Sequence, residues 1–259
     1  PATIFGQTES ETSGAMRRLT EAQYRNTIAD IFGQDLQFVG RMDPLVRPPH
    51  GLQVAGVSQI SVSAAGLEQY VRMAQAIASQ VMDEQHRGTF LACLPQFVDS
   101  ADDACASEFF RGVGPLLFRR PLSESDTQAL VATAHEAAEL SNSFYTGLAL
   151  ALETMLVSPR FLFDIDVTEP DPLAAGSKRL DTYSKAARLS FFLWNTTPDR
   201  ELLDAAARGD LHTKRGLDAQ VDRLLAAPRV EDAVRAFFSD MLGFERIGDL
   251  AKDSVIYPQ

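Results

Sequence analysis

The residues of this chain whose types and spacing bear on chemistry are four histidines, two cysteines, two arginine pairs and a single tryptophan. His50, His86, His135 and His212 are scattered, and no two lie three or four positions apart, the spacing that places two metal ligands on one helix face. His50 sits in a proline-rich setting, Arg47-Pro-Pro-His50-Gly, and is the candidate contact for a cofactor; the plainer reading of each histidine is a surface or capping role. The pairs Arg17-Arg18 and Arg119-Arg120, and Arg160 in Ser158-Pro-Arg-Phe161, fit either recognition of an anion or the capping of helix ends and pairing with carboxylates. Trp194 follows Phe191-Phe-Leu193 at the end of a helical pattern, where packing is the default explanation. No nucleophile elbow, zinc-protease helix, phosphate loop or dinucleotide fingerprint occurs, and no carboxylate pair is identifiable as acid and base. The residues alone assign no catalytic group and no metal site, so a hydrolase is the weakest enzyme reading.

Cys93 and Cys105 are the two cysteines of the chain. They form no C-x-x-C or C-x-x-C-H, and no histidine stands close enough to complete a zinc set. A redox pair, a metal half-site, two unrelated thiols and a structural disulfide all remain readings. The disulfide is preferred, because two nearby cysteines in an otherwise cysteine-free chain suit an oxidising compartment.

Composition narrows the classes. The chain has 259 residues, 45% of them hydrophobic and 23% charged, enough to bury a core and unlike a disordered chain. A net charge of −11 argues against nucleic acid or an anionic membrane as the main partner. Its longest apolar runs, such as Leu148-Ala-Leu-Ala-Leu152, are far short of a membrane span. The chain begins at Pro1 and ends at Gln259 without terminal signatures, which gives the expectation of a segment truncated from a longer polypeptide.

The elements that must position these residues read as helices. Residues 1–15 are rich in Ser, Thr and Gly and read as a tail or linker. Thr20-Glu-Ala-Gln23 is a capping-box pattern, and Tyr24, Ile28, Ile31 and Phe32 then share one face up to Gly33. Residues 34–63 carry Pro44, Pro48, Pro49, Gly51 and Gly56 and read as a long loop. Helices are expected over about 64–85, with Leu67, Val71, Ala74, Ala78 and Val81 as the buried stripe, then 102–117, 124–140 and 143–157. An extended segment or junction fits 161–180, and helices resume over 181–194, 199–208, 213–226 and 230–242. The expectation is an all-α protein of about nine helices in two or three packed modules. After the tail, these are an N-terminal module with its loop (16–100), a central module (101–160) and a C-terminal module (161–259).

Three stretches resemble a known family. Met16-Arg-Arg-Leu-Thr-Glu-Ala-Gln-Tyr-Arg-Asn-Thr-Ile-Ala-Asp-Ile-Phe-Gly33 is similar to the opening module of planctomycete-type cytochrome c-associated multi-domain proteins. Phe118-Arg-Arg-Pro-Leu-Ser-Glu-Ser-Asp126 is similar to a second module. Leu156-Val-Ser-Pro-Arg-Phe-Leu-Phe163 leads into a third, which Leu180-Asp-Thr-Tyr-Ser-Lys-Ala-Ala-Arg-Leu-Ser-Phe-Phe-Leu-Trp194 and Thr197-Pro-Asp-Arg-Glu-Leu-Leu203 resemble closely. The resemblance runs in order over nearly all of residues 16–259. It marks Arg17, Arg18, Tyr24, Asn26, Arg119, Arg120, Pro121, Arg160, Trp194, Pro198 and Asp199 as signature positions.

The resemblance implies a bacterial envelope protein that is periplasmic, secreted or attached to the outer surface. It implies helical domains of unknown function that stand beside c-type haem modules, with further modules of the same polypeptide or other envelope proteins as partners. Since this sequence has no C-x-x-C-H, the implied haem belongs to adjoining modules or to a partner chain, and this segment carries no cofactor of its own. The expected function is the helical portion of an exported cytochrome c-linked redox protein or complex, for electron transfer or oxidoreduction. The alternative is a non-catalytic scaffold or binding subunit of an envelope assembly.

Overall fold

Side-chain caps set most of the helix boundaries. In the computed structural model, which describes residues 16–40, 42 and 62–244, the Thr20 hydroxyl accepts from the Gln23 amide at 3.1 Å and opens α1 (Glu21–Phe32). The Gln23 side chain accepts in return from the Thr20 amide, and the capping box closes. Gly33 ends the helix at φ 93°, a backbone conformation that a side chain would strain. Next come α2 (Ala64–Val81), the short α3 (Arg87–Phe90), α4 (Asp103–Phe118), α5 (Glu124–Ser141), α6 (Phe144–Leu156) and the short α7 (Pro159–Leu162). After the junction lie α8 (Thr182–Leu193), α9 (Arg200–Ala207), a 3-10 turn (Asp210–His212), α10 (Lys214–Ala226) and α11 (Val230–Leu242). Ser63, Asp102, Ser123, Asp181, Asp199 and Thr213 cap their helices through side-chain oxygens, so a free backbone amide is satisfied at each start.

All nine expected helices are present among the described residues, and α3 and α7 add two short ones. The fold is mostly helical rather than purely so, because two small antiparallel sheets interrupt it. Strand β1 (Met16–Arg18) pairs with β2 (Phe163–Ile165), placing Arg17 opposite Asp164. Strand β3 (Thr168–Pro170) pairs with β4 (Lys178–Leu180), placing Glu169 opposite Arg179. Opposite charges facing across a strand pair favour both registers. Three-residue strands are too short to leave a periodic signal, so only an extended segment was readable at 161–180. The tail expected over 1–15, most of the loop expected over 34–63, and the final residues of the C-terminal module lie outside the described residues.

One large core gathers α1, α2, α4, α5 and α6 around Tyr24, Phe32, Met73, Phe110, Leu148 and Phe161. Within it α5 and α6 approach closely at Gly147, where a Cβ would come within 2.3 Å of the Ala134 carbonyl oxygen. The buried face of α2 is Tyr70, Met73, Ala74, Ile77, Ala78 and Val81, so Ala74, Ala78 and Val81 are buried as expected. Leu67 and Val71 are exposed instead, and Tyr70, Met73 and Ile77 complete the stripe on the side that packs on α6. A second core packs Trp194, Leu202, Leu211 and Leu224 between α8, α9 and α10. Cys93 and Cys105 are bonded with their Cα atoms 5.5 Å apart, tying the segment after α3 to the first turn of α4. No described helix is long and apolar enough to cross a membrane.

Candidate functional site

Helix α4 ends at Phe118, and Arg119 leaves it in the left-handed conformation at φ 59°. That turn sends the Arg119 side chain back into the protein. Its Nη1 donates to the carbonyls of Leu117 at 3.1 Å and Phe161 at 3.3 Å, and its Nη2 to the carbonyls of Arg160 and Phe163, the latter at 2.7 Å. Burial pushes its pKa down to about 10, so the group stays charged at neutral pH. The same turn leaves Arg120 facing α8, where Nη1 lies 3.3 Å from Asp181 and Nη2 donates to the Ser184 hydroxyl at 3.4 Å. Arg160, at the start of α7, pairs with Asp126 at 2.8 Å and lies over the Phe118 ring. The carboxyl of Asp126 is held below its ordinary range by the hydrogen bonds it accepts from Arg160 and Ser123, against the opposing pull of burial. Arg119, Arg120 and Arg160 line one cavity of about 170 Å³, walled by Phe118, Phe163, Tyr183 and Ser184. Arg17 pairs with Asp164 at its margin, and Arg188 with Asp166 alongside.

A second cluster surrounds Trp194. Its Nε1 donates to the Leu224 carbonyl at 2.8 Å, and Arg223 and Arg229 stand 5.5 and 5.0 Å from the ring centroid. Arg223 grips Asp199 through two bonds, at 2.7 and 2.9 Å. Arg229 pairs with Asp30 of α1, which also accepts from the Thr196 hydroxyl at 2.7 Å. The Asn26 side chain donates to the Asn195 carbonyl at 3.1 Å, and the Thr197 hydroxyl to the Leu116 carbonyl at 2.6 Å. Five bonds thus tie α1 and α4 to the turn after α8, the start of α9 and the start of α11, once Arg200 donating to the Gly112 carbonyl at 3.0 Å is included.

Three family models match in succession. PSD3, protein of unknown function (DUF1587), covers residues 17–83; PSD5, protein of unknown function (DUF1595), covers 105–166; and PSD4, protein of unknown function (DUF1592), covers 180–259. Three segments of the chain thus match, in order, domains of unknown function, as the sequence resemblance led us to expect. The chain matches no curated protein and no solved structure.

Three of the signature positions, Arg17, Asn26 and Arg120, cross between these domains. Arg17 of PSD3 reaches Asp164 of PSD5, and Asn26 of PSD3 reaches the turn of PSD4. Arg119 and Arg160 tie the two ends of PSD5 together, while Arg120 crosses to PSD4. Pro121 follows these arginines in the turn before α5. Tyr24 is fully buried in the large core, and burial pushes its phenol upward. Arg18 is buried at the end of β1. Pro198 and Asp199 open α9, with Asp199 as its cap. His50 lies outside the described residues, and the remaining histidines do not meet. His86 bridges Asp83 and Asp35, His135 pairs with Asp103, and His212 stands between Lys185 and Glu169. Among the described residues no group of three or more His, Cys, Asp or Glu side chains is arranged to hold a metal ion.

Sequence reasoning missed the acidic partners and the polar wall: Asp126, Asp164, Asp181, Tyr183 and Ser184. Asp126, the capping-box partner of Ser123, and Asp181, the cap of α8, stand at helix starts, and a helix start beside an arginine-rich joint is the one signal that could have found them. Asp164 and Ser184 carried none, since their roles arise from strand pairing and from the packing of α8.

Proposed function

We propose that the chain is the helical part of an exported cytochrome c-linked redox protein or complex of the bacterial envelope, working by electron transfer or oxidoreduction. The observation that carries this reading is the ordered run of PSD3, PSD5 and PSD4 domains, modules that resemble those found beside c-type haem. The Cys93–Cys105 bond supports export to an oxidising compartment. No histidine, methionine or cysteine lines the arginine cavity, and the sequence has no C-x-x-C-H for covalent haem attachment. The reading assigns the haem to adjoining modules or a partner chain, with this segment holding those modules in a fixed relation.

The test is a haem-stained denaturing gel of the full-length protein purified without detergent denaturation from an envelope fraction. Stain on the polypeptide or on a stoichiometric partner is the expected result. No haem in any co-purifying chain overturns the redox reading.

One observation favours a second reading, a non-catalytic scaffold. Arg17, Arg119, Arg120 and Arg160 are all engaged inside the chain, by Asp164, backbone carbonyls, Asp181 and Asp126 respectively. Signature residues spent on joints are what a scaffold needs. A haem-free assembly on the same gel selects it.

A further inference from the structure

We propose that the cavity between α4, α7 and α8 is a binding site for a small organic carboxylate, held by Arg120, Ser184 and Tyr183. Of the charged residues lining the cavity, Arg119, Arg120 and Arg160 are cationic and Asp164 alone is anionic, in a chain of net charge −11. Asp181 and Asp126 pair with Arg120 and Arg160, and Arg17 with Asp164, which leaves Arg119, held by carbonyls alone, as the uncompensated charge at the cavity.

Donor capacity is the second point. Arg119 is consumed by carbonyls, but Arg120 is held loosely. Its contacts to Asp181 and Ser184, at 3.3 and 3.4 Å, lie beyond the usual range of a good N–H···O bond, and a guanidinium carries five donors. The Ser184 oxygen accepts from the Val167 amide at 2.8 Å and from Arg120, which leaves its own hydroxyl proton to donate. The Tyr183 hydroxyl has no hydrogen-bond partner among the described residues. Burial raises its pKa, so at neutral pH it is a neutral donor. Three donors of different geometry therefore surround one space, and a carboxylate, with two oxygens and about four lone-pair sites, can accept from all three.

The walls choose among anions. Phe118, Phe163, Ile165 and Ala187 give the cavity an apolar side that inorganic phosphate does not use and the carbon body of an organic acid does. A volume of about 170 Å³ restricts that body to a small one.

The test is calorimetric titration of the full chain with benzoate, with succinate and with inorganic phosphate, repeated on Arg120→Gln, Tyr183→Phe and Arg111→Gln. Arg111 pairs with Glu124 on the exposed side of α4 and controls for loss of surface charge. Saturable binding of benzoate or succinate is expected, weakened about tenfold by Arg120→Gln and severalfold by Tyr183→Phe, and unchanged by Arg111→Gln. Should Arg120→Gln fail to fold, the Tyr183→Phe titration carries the same comparison. No saturable heat with either carboxylate, phosphate binding alone, or equal binding by the wild type and both cavity variants overturns the proposal. None of these outcomes depends on haem, so the site and the redox reading stand or fall separately.

Discussion

The Arg119 guanidinium donates to the Phe163 carbonyl at 2.7 Å, across 44 residues of sequence. With its bonds to Leu117 and Phe161, it satisfies the last turn of α4 and the buried carbonyls of α7 and the start of β2 at once. A fixed fork of donors suits several carbonyls at different angles, and a lysine ammonium does not reproduce it.

Replacing Arg119 by Gln is expected to lower stability by about 2–4 kcal/mol, since several buried carbonyls lose their partner together. Arg119→Lys is expected to lose a comparable amount despite keeping the charge. Chemical denaturation of both variants measures this; a Lys variant as stable as the wild type contradicts the geometric account.

Trp194→Phe keeps the aromatic body and removes the Nε1 proton, leaving the Leu224 carbonyl with only the longer bond it accepts from the Ala227 amide at 3.3 Å. The expected cost is about 0.5–1.5 kcal/mol. Because Trp194 is the only tryptophan, its fluorescence reports on the α8–α10 joint directly. Emission that already matches free tryptophan in the folded protein argues against its burial.

Reducing the Cys93–Cys105 bond releases a loop of about a dozen residues and is expected to remove roughly 3 kcal/mol. Thiol titration of protein isolated without reductant should find no free cysteine. Two titratable thiols in the folded protein contradict the bond.

Two histidines are expected to respond to pH with opposite sign. The hydrogen bond to Asp83, with Asp35 opposite, raises the pKa of His86. Its contribution is therefore full below the ordinary histidine value and is lost as pH rises through the folded pKa. His212 is held neutral, first by burial and then by Lys185 and Arg179. Its contribution is present above the ordinary value and is lost as pH falls through the folded pKa. The Tm gap between wild type and His86→Gln should close on raising pH, and the gap for His212→Gln should close on lowering it. Gaps that move together contradict the assignment.

Much of the helical order was legible because each start carries its own chemistry: Thr20 with Gln23, Ser123 with Asp126, Asp199 ahead of α9. The resemblance carried the order of the three domains. The short strands were not legible, since β1 exists only because β2 lies beside it 147 residues away, joined by Arg17 and Asp164. On the inner face of α2, Ala74, Ala78 and Val81 were legible, but Leu67 and Val71 fit the period as well as Tyr70 and Met73. Only the packed α6 decides between the two stripes. The arginine cavity was half legible. Arg119, Arg120 and Arg160 stood out in the sequence, but their convergence depends on the left-handed turn at Arg119, and a non-glycine residue gives no sign of it.

We propose that these three domains serve a c-type cytochrome, and the reduced-minus-oxidised absorption spectrum of the full-length protein, purified natively with its partners, tests this. The account predicts a Soret band with α and β bands that sharpen on reduction and co-elute with this chain. A spectrum without haem bands at any stage of purification would contradict it.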